Sequence, residues 1–176
     1  MKPLTILVTP IDFVGHVNAC IGATLPLLHR GHRVIFLVEK AFQGKLSSHG
    51  FEEDIYELQT EGKAVNAAAG EAWANDLLNQ GVLGPNSAED KFKAIMKVFN
   101  QAPKSMEVMK QSSNFIGEAI ERYKPDLIWF DSAYIWPSVY YSGIPWVLNM
   151  SLTPTLFIDP NIDEVPPFGS GKESLP

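Results

Sequence analysis

Two short segments carry residues able to do acid–base chemistry. One is Thr9-Pro10-Ile11-Asp12-Phe13-Val14-Gly15-His16-Val17-Asn18 and the other is Phe130-Asp131-Ser132-Ala133-Tyr134. His16 is expected as the first residue of a helix, directly behind Gly15. Glycine at that place is expected to allow a tight turn and to leave room for a ligand. A helix N-terminus disfavours added positive charge, so it favours the neutral ring. A neutral imidazole is what a general base needs near neutral pH. Asp131, expected at the end of a buried strand, could accept a hydrogen bond from the other ring nitrogen. That contact would set the tautomer, orient the ring and stabilise it once protonated. A plainer reading is that His16 caps one helix and Asp131 caps the next. Residue types alone leave both open.

The remaining candidates are weaker. His29 and His32 flank Gly31 at an expected helix end, and His49 sits beside Gly50; capping is expected for all three. Asp12 could hold a metal or a substrate, but a loop aspartate is more simply a turn residue. Cys20 falls on the apolar face of the first helix and is expected as a core thiol. Phe13 and Trp136 lie on or beside the two loops and could line a pocket for an apolar ligand. Two phosphate motifs fail. The loop after the first strand lacks the dinucleotide glycine fingerprint. Gly169-Ser170-Gly171-Lys172-Glu173-Ser174 has Pro166 in place of the first glycine, Glu173 in place of Ser/Thr, and no strand before it.

Something must position these residues, and the apolar pattern says what. Residues 4–10 and 33–38 are continuous apolar, β-branched runs, the mark of strands buried on both faces. Between them, residues 16–30 read as a helix with Gly31 at its C′ position and Pro26 inside it, expected to kink or shorten it. Next come a short helix over 39–49, a weaker strand over 51–58 and an alanine-rich helical stretch over 63–80. Ser87, with Asp90 three residues on, should cap a helix running to about Ala102. Pro103 should interrupt that helix, and a further helical segment reaches Tyr123. A fourth strand over 126–130, a helix over 134–141 and a fifth strand over 145–149 follow. This alternation argues for an α/β fold with a doubly wound parallel sheet. Right-handed crossovers are expected. From about Thr153 turn signals dominate.

Composition sets the outer limits. Of 176 residues, 45% are hydrophobic and 19% charged, enough apolar material for a sizeable core. The formal charge of -6 argues against binding nucleic acid through its phosphates. A single cysteine excludes an internal disulfide framework and a cysteine-based zinc site, and no metal is expected. No run approaches the ~18 apolar residues of a membrane span. Without a targeting segment, the expected location is cytoplasmic. Asn149-Met150-Ser151 matches a glycosylation sequon, to which that location gives no meaning.

Gly15-His16-Val17-Asn18, followed by Arg30-Gly31-His32-Arg33-Val34, resembles the opening of the UDP-glycosyltransferases of family 1, which have the GT-B fold. Lys124-Pro125-Asp126-Leu127-Ile128 through Asp131, then Ser142-Gly143-Ile144-Pro145-Trp146-Val147, is similar to the fourth and fifth strand region of the same N-terminal domain. The similarity runs from about Leu4 to Leu152. It implies the N-terminal half of a GT-B fold. Residues 1–152 would be an incomplete Rossmann-like acceptor-binding domain and residues 153–176 a loop or linker. The resemblance also implies an inverting hexosyl transfer. The residue at His16 would take the proton of an acceptor hydroxyl, and Asp131 would balance the resulting charge. Phe13, Gly15, Asn18, Ser132 and Trp136 would be substrate-binding. The acceptor would be a small lipophilic molecule with a hydroxyl. The UDP-sugar would be a co-substrate rather than a cofactor, held mainly by a second Rossmann-like domain. That domain has a glycine-, histidine- and glutamate-containing signature which this sequence lacks, so a second domain or chain would be the partner. Ala19 stands where the family usually has proline.

The alternative is a half-domain that binds a small lipophile or a partner without chemistry. A nicotinamide-dependent enzyme is disfavoured by the missing glycine fingerprint.

Overall fold

The computed structural model describes residues 2–58, 69–99, 102–132 and 134–151. The expected linker 153–176, with the rejected phosphate-loop lookalike, lies outside the described residues, as do residues 63–68 of the expected helical stretch over 63–80. Among the described residues, five strands form one sheet: β1 (Thr5–Pro10), β2 (Arg33–Glu39), β3 (Glu52–Tyr56), β4 (Leu127–Asp131) and β5 (Trp146–Leu148). Five α-helices accompany them among these residues: α1 (Val14–His29), α2 (Ala69–Asn79), α3 (Ala88–Phe99), α4 (Ala102–Tyr123) and α5 (Pro137–Tyr140). The strand order is β3-β2-β1-β4-β5, and every neighbouring pair is parallel. The chain winds outward from β1 through β2 to β3, then returns to the other side of β1 as β4. The reversal therefore lies between β1 and β4. In open α/β sheets that point opens a crevice at the carboxyl ends of the strands.

The apolar runs are buried on both faces because side chains alternate across the sheet. Ile6, Val8, Val34, Phe36 and Val38 pack with Val17 and Cys20 of α1. Leu7, Ile35, Leu37, Ile128 and Phe130 pack on the opposite face with Ile116 and Ala119 of α4 and Val139 of α5.

Several local signals act as expected. Gly31 ends α1 at φ 84, with its N–H on the Leu28 carbonyl and the His32 N–H on the Leu27 carbonyl. That pair of bonds is the Schellman arrangement, which satisfies carbonyls the helix leaves open. The Ser87 hydroxyl accepts the Asp90 N–H at 3.2 Å and starts α3. Pro103 lies in the first turn of α4, where its missing N–H costs no helical bond.

Others are corrected. The helix expected over 39–49 is two 3-10 turns, Lys40–Phe42 and Ser47–His49. Gly44 at φ 80 breaks the segment, and the Glu53 carboxylate accepts the N–H groups of Gly44, Leu46 and Ser47 that a helix would have turned inward. The helix expected over 134–141 shrinks to Pro137–Tyr140, because a residue before proline is pushed to extended backbone and Trp136 sits at φ -65, ψ 133. Pro26 does not shorten α1; it falls in the last turn and the helix runs on to His29. His32 is not a helix cap. Its Nδ1 accepts the Leu4 N–H at 3.0 Å and so anchors the start of β1.

Candidate active site

The β1–β4 register sets Pro10 opposite Asp131, and the Ile11 N–H extends the ladder to the Asp131 carbonyl at 3.0 Å. The chain then turns through Asp12 and Phe13 and enters α1. The helix begins at Val14, with Phe13 as N-cap, so Gly15 and His16 are its second and third residues. His16 is thus in the first turn but does not open the helix. Gly15 has ordinary helical backbone, so a tight turn is not its role. Among the described residues, a Cβ added there would meet nothing within 4 Å.

His16 and Asp131 meet. Nδ1 of His16 lies 3.0 Å from Oδ1 of Asp131, and the carboxylate is 0% exposed. Neither α1 nor α5 has a side-chain cap, so the capping reading of the two residues does not describe this arrangement. Two further residues complete it. Asn149 donates from Nδ2 to Oδ2 of Asp131 at 2.8 Å. Ser151 donates its backbone N–H to Oδ1 at 3.3 Å and places its hydroxyl 2.9 Å from Nδ1 of His16. Asn149 is held in turn by its own N–H, which continues the β5–β4 ladder to the Phe130 carbonyl at 2.7 Å. Burial alone would push the Asp131 carboxyl up. Hydrogen bonds from His16, Ser151 and Asn149 outweigh it and hold the group below the ordinary carboxylate range. A carboxylate only accepts, so the hydrogen between the rings of contacts belongs on Nδ1 of His16. Among the described residues nothing bonds to Nε2. A ring so held can take a proton at Nε2 while Asp131 stabilises the cation.

The other sequence candidates separate. The Phe13 ring is 6.0 Å from the His16 ring and half-buried, and Asn18 is exposed on α1. Ser132 is 1% exposed, and its hydroxyl accepts the Tyr134 N–H in a local turn. Trp136 is 5% exposed, packed edge-on against Tyr134 within the core on the α4 side. Asp12 is not a surface turn residue. Its buried carboxylate accepts the Glu39 N–H at 2.8 Å and the Tyr56 hydroxyl, and so ties the loop after β1 to the ends of β2 and β3. Burial, then the Asp12 charge, pushes the Tyr56 hydroxyl well up. Burial also pushes Tyr134 up to about 12, with the Asp12 charge adding to it against a hydrogen bond from Ser132. Among the described residues no group of three or more His, Cys, Asp or Glu could hold a metal, and no helix is long and apolar enough to cross a membrane.

Asn149 and Ser151 are the residues that sequence reasoning passed over. Their only signal was the sequon they form, which points to chemistry of a different kind.

Cys20 lies one turn along α1 from His16, fully buried. Burial first, then the charge of Asp131, pushes its thiol up to about 12, against a hydrogen bond from Asn149. The thiolate is the reactive form. Iodoacetamide at pH 8 is therefore expected to leave Cys20 unlabelled in the folded chain and to label it fully in denaturant. Rapid labelling of the folded chain would contradict this packing.

Solved structures share this arrangement of strands and helices. Glycyrrhiza uralensis UGT73P12, solved with glycyrrhetinic acid 3-O-monoglucuronide, superposes with a TM-score of 0.56 at 14% identity, over 84% of this chain and 28% of that one. The glycosyltransferase of kitacinnamycin gives 0.51 at 15% identity, over 84% and 30%. The Streptomyces sp. SF2575 glycosyltransferase SsfS6 gives 0.51 at 15% identity, over 82% and 38%. This chain has the fold of the N-terminal half of a GT-B glycosyltransferase. It spans about a third of the length of these structures. No protein-family model matches the sequence, and no curated protein matches it.

Proposed function

We propose that this chain is the acceptor-binding half of an inverting UDP-glycosyltransferase, with His16 as general base and Asp131 as its charge partner. The observation that carries the reading is the His16–Asp131 pair at the β1–β4 reversal, with Nδ1 engaged and Nε2 without a partner among the described residues. In the proposed step an acceptor hydroxyl gives its proton to Nε2. Its oxygen forms a bond to the anomeric carbon as the bond from that carbon to the UDP oxygen breaks. UDP departs with the electron pair, and attack from the opposite face inverts the centre. Asp131 stabilises the imidazolium. The half-buried Phe13 and the room beside Gly15 among the described residues suit a small lipophilic acceptor bearing a hydroxyl, and exposed Asn18 lies one turn away. The nucleotide-sugar would be held mainly by a second domain or chain.

The test is transfer from a UDP-sugar to a panel of phenolic and other lipophilic acceptors, using the protein that carries this chain together with its nucleotide-sugar half. His16→Ala is expected to lower turnover by about 10²–10⁴-fold, the usual worth of a positioned base. Unchanged turnover would remove His16 from the reaction. Saturable lipophile binding with no transfer to any acceptor would favour a binding module instead.

A further inference from the structure

We propose that Asn149 and Ser151 are positioning residues that hold Asp131 as a carboxylate and thereby keep the ring hydrogen of His16 on Nδ1. Asp131 is 0% exposed, so the partners of its oxygens come from the protein. Oδ1 receives His16 Nδ1 at 3.0 Å and the Ser151 N–H at 3.3 Å; Oδ2 receives the Asn149 amide at 2.8 Å. Two of these three donors come from the segment just past β5, not from the two loops that carry the pair.

Ser151 touches both members of the pair. Its hydroxyl is 2.9 Å from Nδ1 of His16. Were it to donate there, Nδ1 would need a lone pair, and that lone pair would face the accept-only oxygen of Asp131. The arrangement without this conflict has Nδ1–H pointing to Asp131 and the serine hydrogen turned to the carboxylate. Asn149 closes the other side. Asn149 and the Asp131 charge both act on the Cys20 thiol. The groups facing Asp131 are then His16 and Cys20 from α1 and Asn149 and Ser151 from beyond β5.

Asn149→Leu takes the amide donor from Oδ2, and Ser151→Ala takes the hydroxyl that supports the carboxylate while leaving the backbone N–H in place; each change favours the protonated acid. A protonated Asp131, having taken its proton from solvent, can donate to Nδ1, and the ring's own hydrogen then sits on Nε2, the nitrogen that has to be empty for a base to act. The catalytic consequence rests on the glycosyl-transfer reading above; the tautomer itself does not.

Long-range ¹H–¹⁵N NMR on the 176-residue chain reads the tautomer directly. The expected result is Nδ1–H in the native chain, a shift toward Nε2–H in Ser151→Ala and Asn149→Leu, and restoration in Ser151→Thr. The Asp131 carboxyl, followed by ¹³C NMR, should titrate at higher pH in both disrupting variants. A dispersed amide spectrum certifies folding, and if Asn149→Leu fails it, Ser151→Ala carries the test. In the protein joined to its nucleotide-sugar half, each disrupting variant should lose about 10-fold in transfer, the low end of what the outer partners of metal-bound histidines contribute. The acid limb of its pH profile should move up. An unchanged tautomer and unchanged Asp131 titration in Ser151→Ala would overturn the positioning role, whatever happens to transfer. A shifted tautomer with full transfer would uphold the positioning role and overturn the catalytic reading of His16.

Discussion

Asp131→Asn is expected to lower sugar transfer by roughly 10⁴-fold while the chain stays folded, because it installs the wrong tautomer rather than removing a side chain. The substituted amide has one accepting oxygen; when that oxygen keeps the Asn149 contact, the nitrogen takes the place of Oδ1 and faces both His16 Nδ1 and the Ser151 N–H. Toward His16, that nitrogen donates where a carboxylate oxygen accepted. Nδ1 must then present a lone pair and Nε2 its hydrogen, so the base is blocked. Raising the pH does not restore activity, since the defect is not a trapped proton on a cation. The same variant has a second signature. The Asp131 carboxyl sits below its ordinary value in the folded chain, so the group contributes stability above the unfolded value of about 3.9. That contribution is lost as pH falls through the depressed folded value. Asp131→Asn should remove this part of the acid destabilisation, read as a flatter dependence of denaturation midpoint on pH below about 4. A loss of transfer below about tenfold would show that the pair does not set the rate.

Phe36→Ala is expected to destabilise the fold by about 3–5 kcal/mol, a large share of the 5–15 kcal/mol that holds a typical domain together. Phe36 is 0% exposed in β2, with its ring 4.8 Å edge-on from Phe51, in the cluster that also holds Val17 and Cys20 of α1. Truncation removes the ring from apolar surroundings and leaves a cavity that strands on both sides keep from collapsing. Phe36→Leu retains much of the volume and should cost far less. Urea denaturation followed by circular dichroism would show the midpoint falling with an unchanged slope for Phe36→Ala. Near-equal midpoints for Phe36→Ala and the native chain would mean that this face is not close-packed.

Much of this architecture is legible along the chain because its causes are local. Residues 4–10 and 33–38 are apolar at every position, which suits a strand covered on both faces and little else of that length. Gly31 and Ser87 mark a helix end and a helix start through their own backbone and hydroxyl. The misreadings fall where a distant group takes over. The segment over 39–49 forms no α-helix because Glu53, on another element, accepts its N–H groups. Asp12 resembles a turn residue until β2 and β3 bring Glu39 and Tyr56 to its carboxylate. Asn149 and Ser151 read as a sequon because their partners lie across the sheet.

The sequence by itself determined the order of the strands, the parallel sheet and the two loops where chemistry could sit. It held His16 and Asp131 as candidates but could not say whether they face each other or cap separate helices. That was decided by the strand order, which sets β4 against β1 with Pro10 opposite Asp131, and by Asn149 and Ser151 arriving from beyond β5. Periodicity and caps report on neighbours a few residues apart. The contact between His16 and Asp131 joins residues 115 apart and exists only once the sheet has closed the distance.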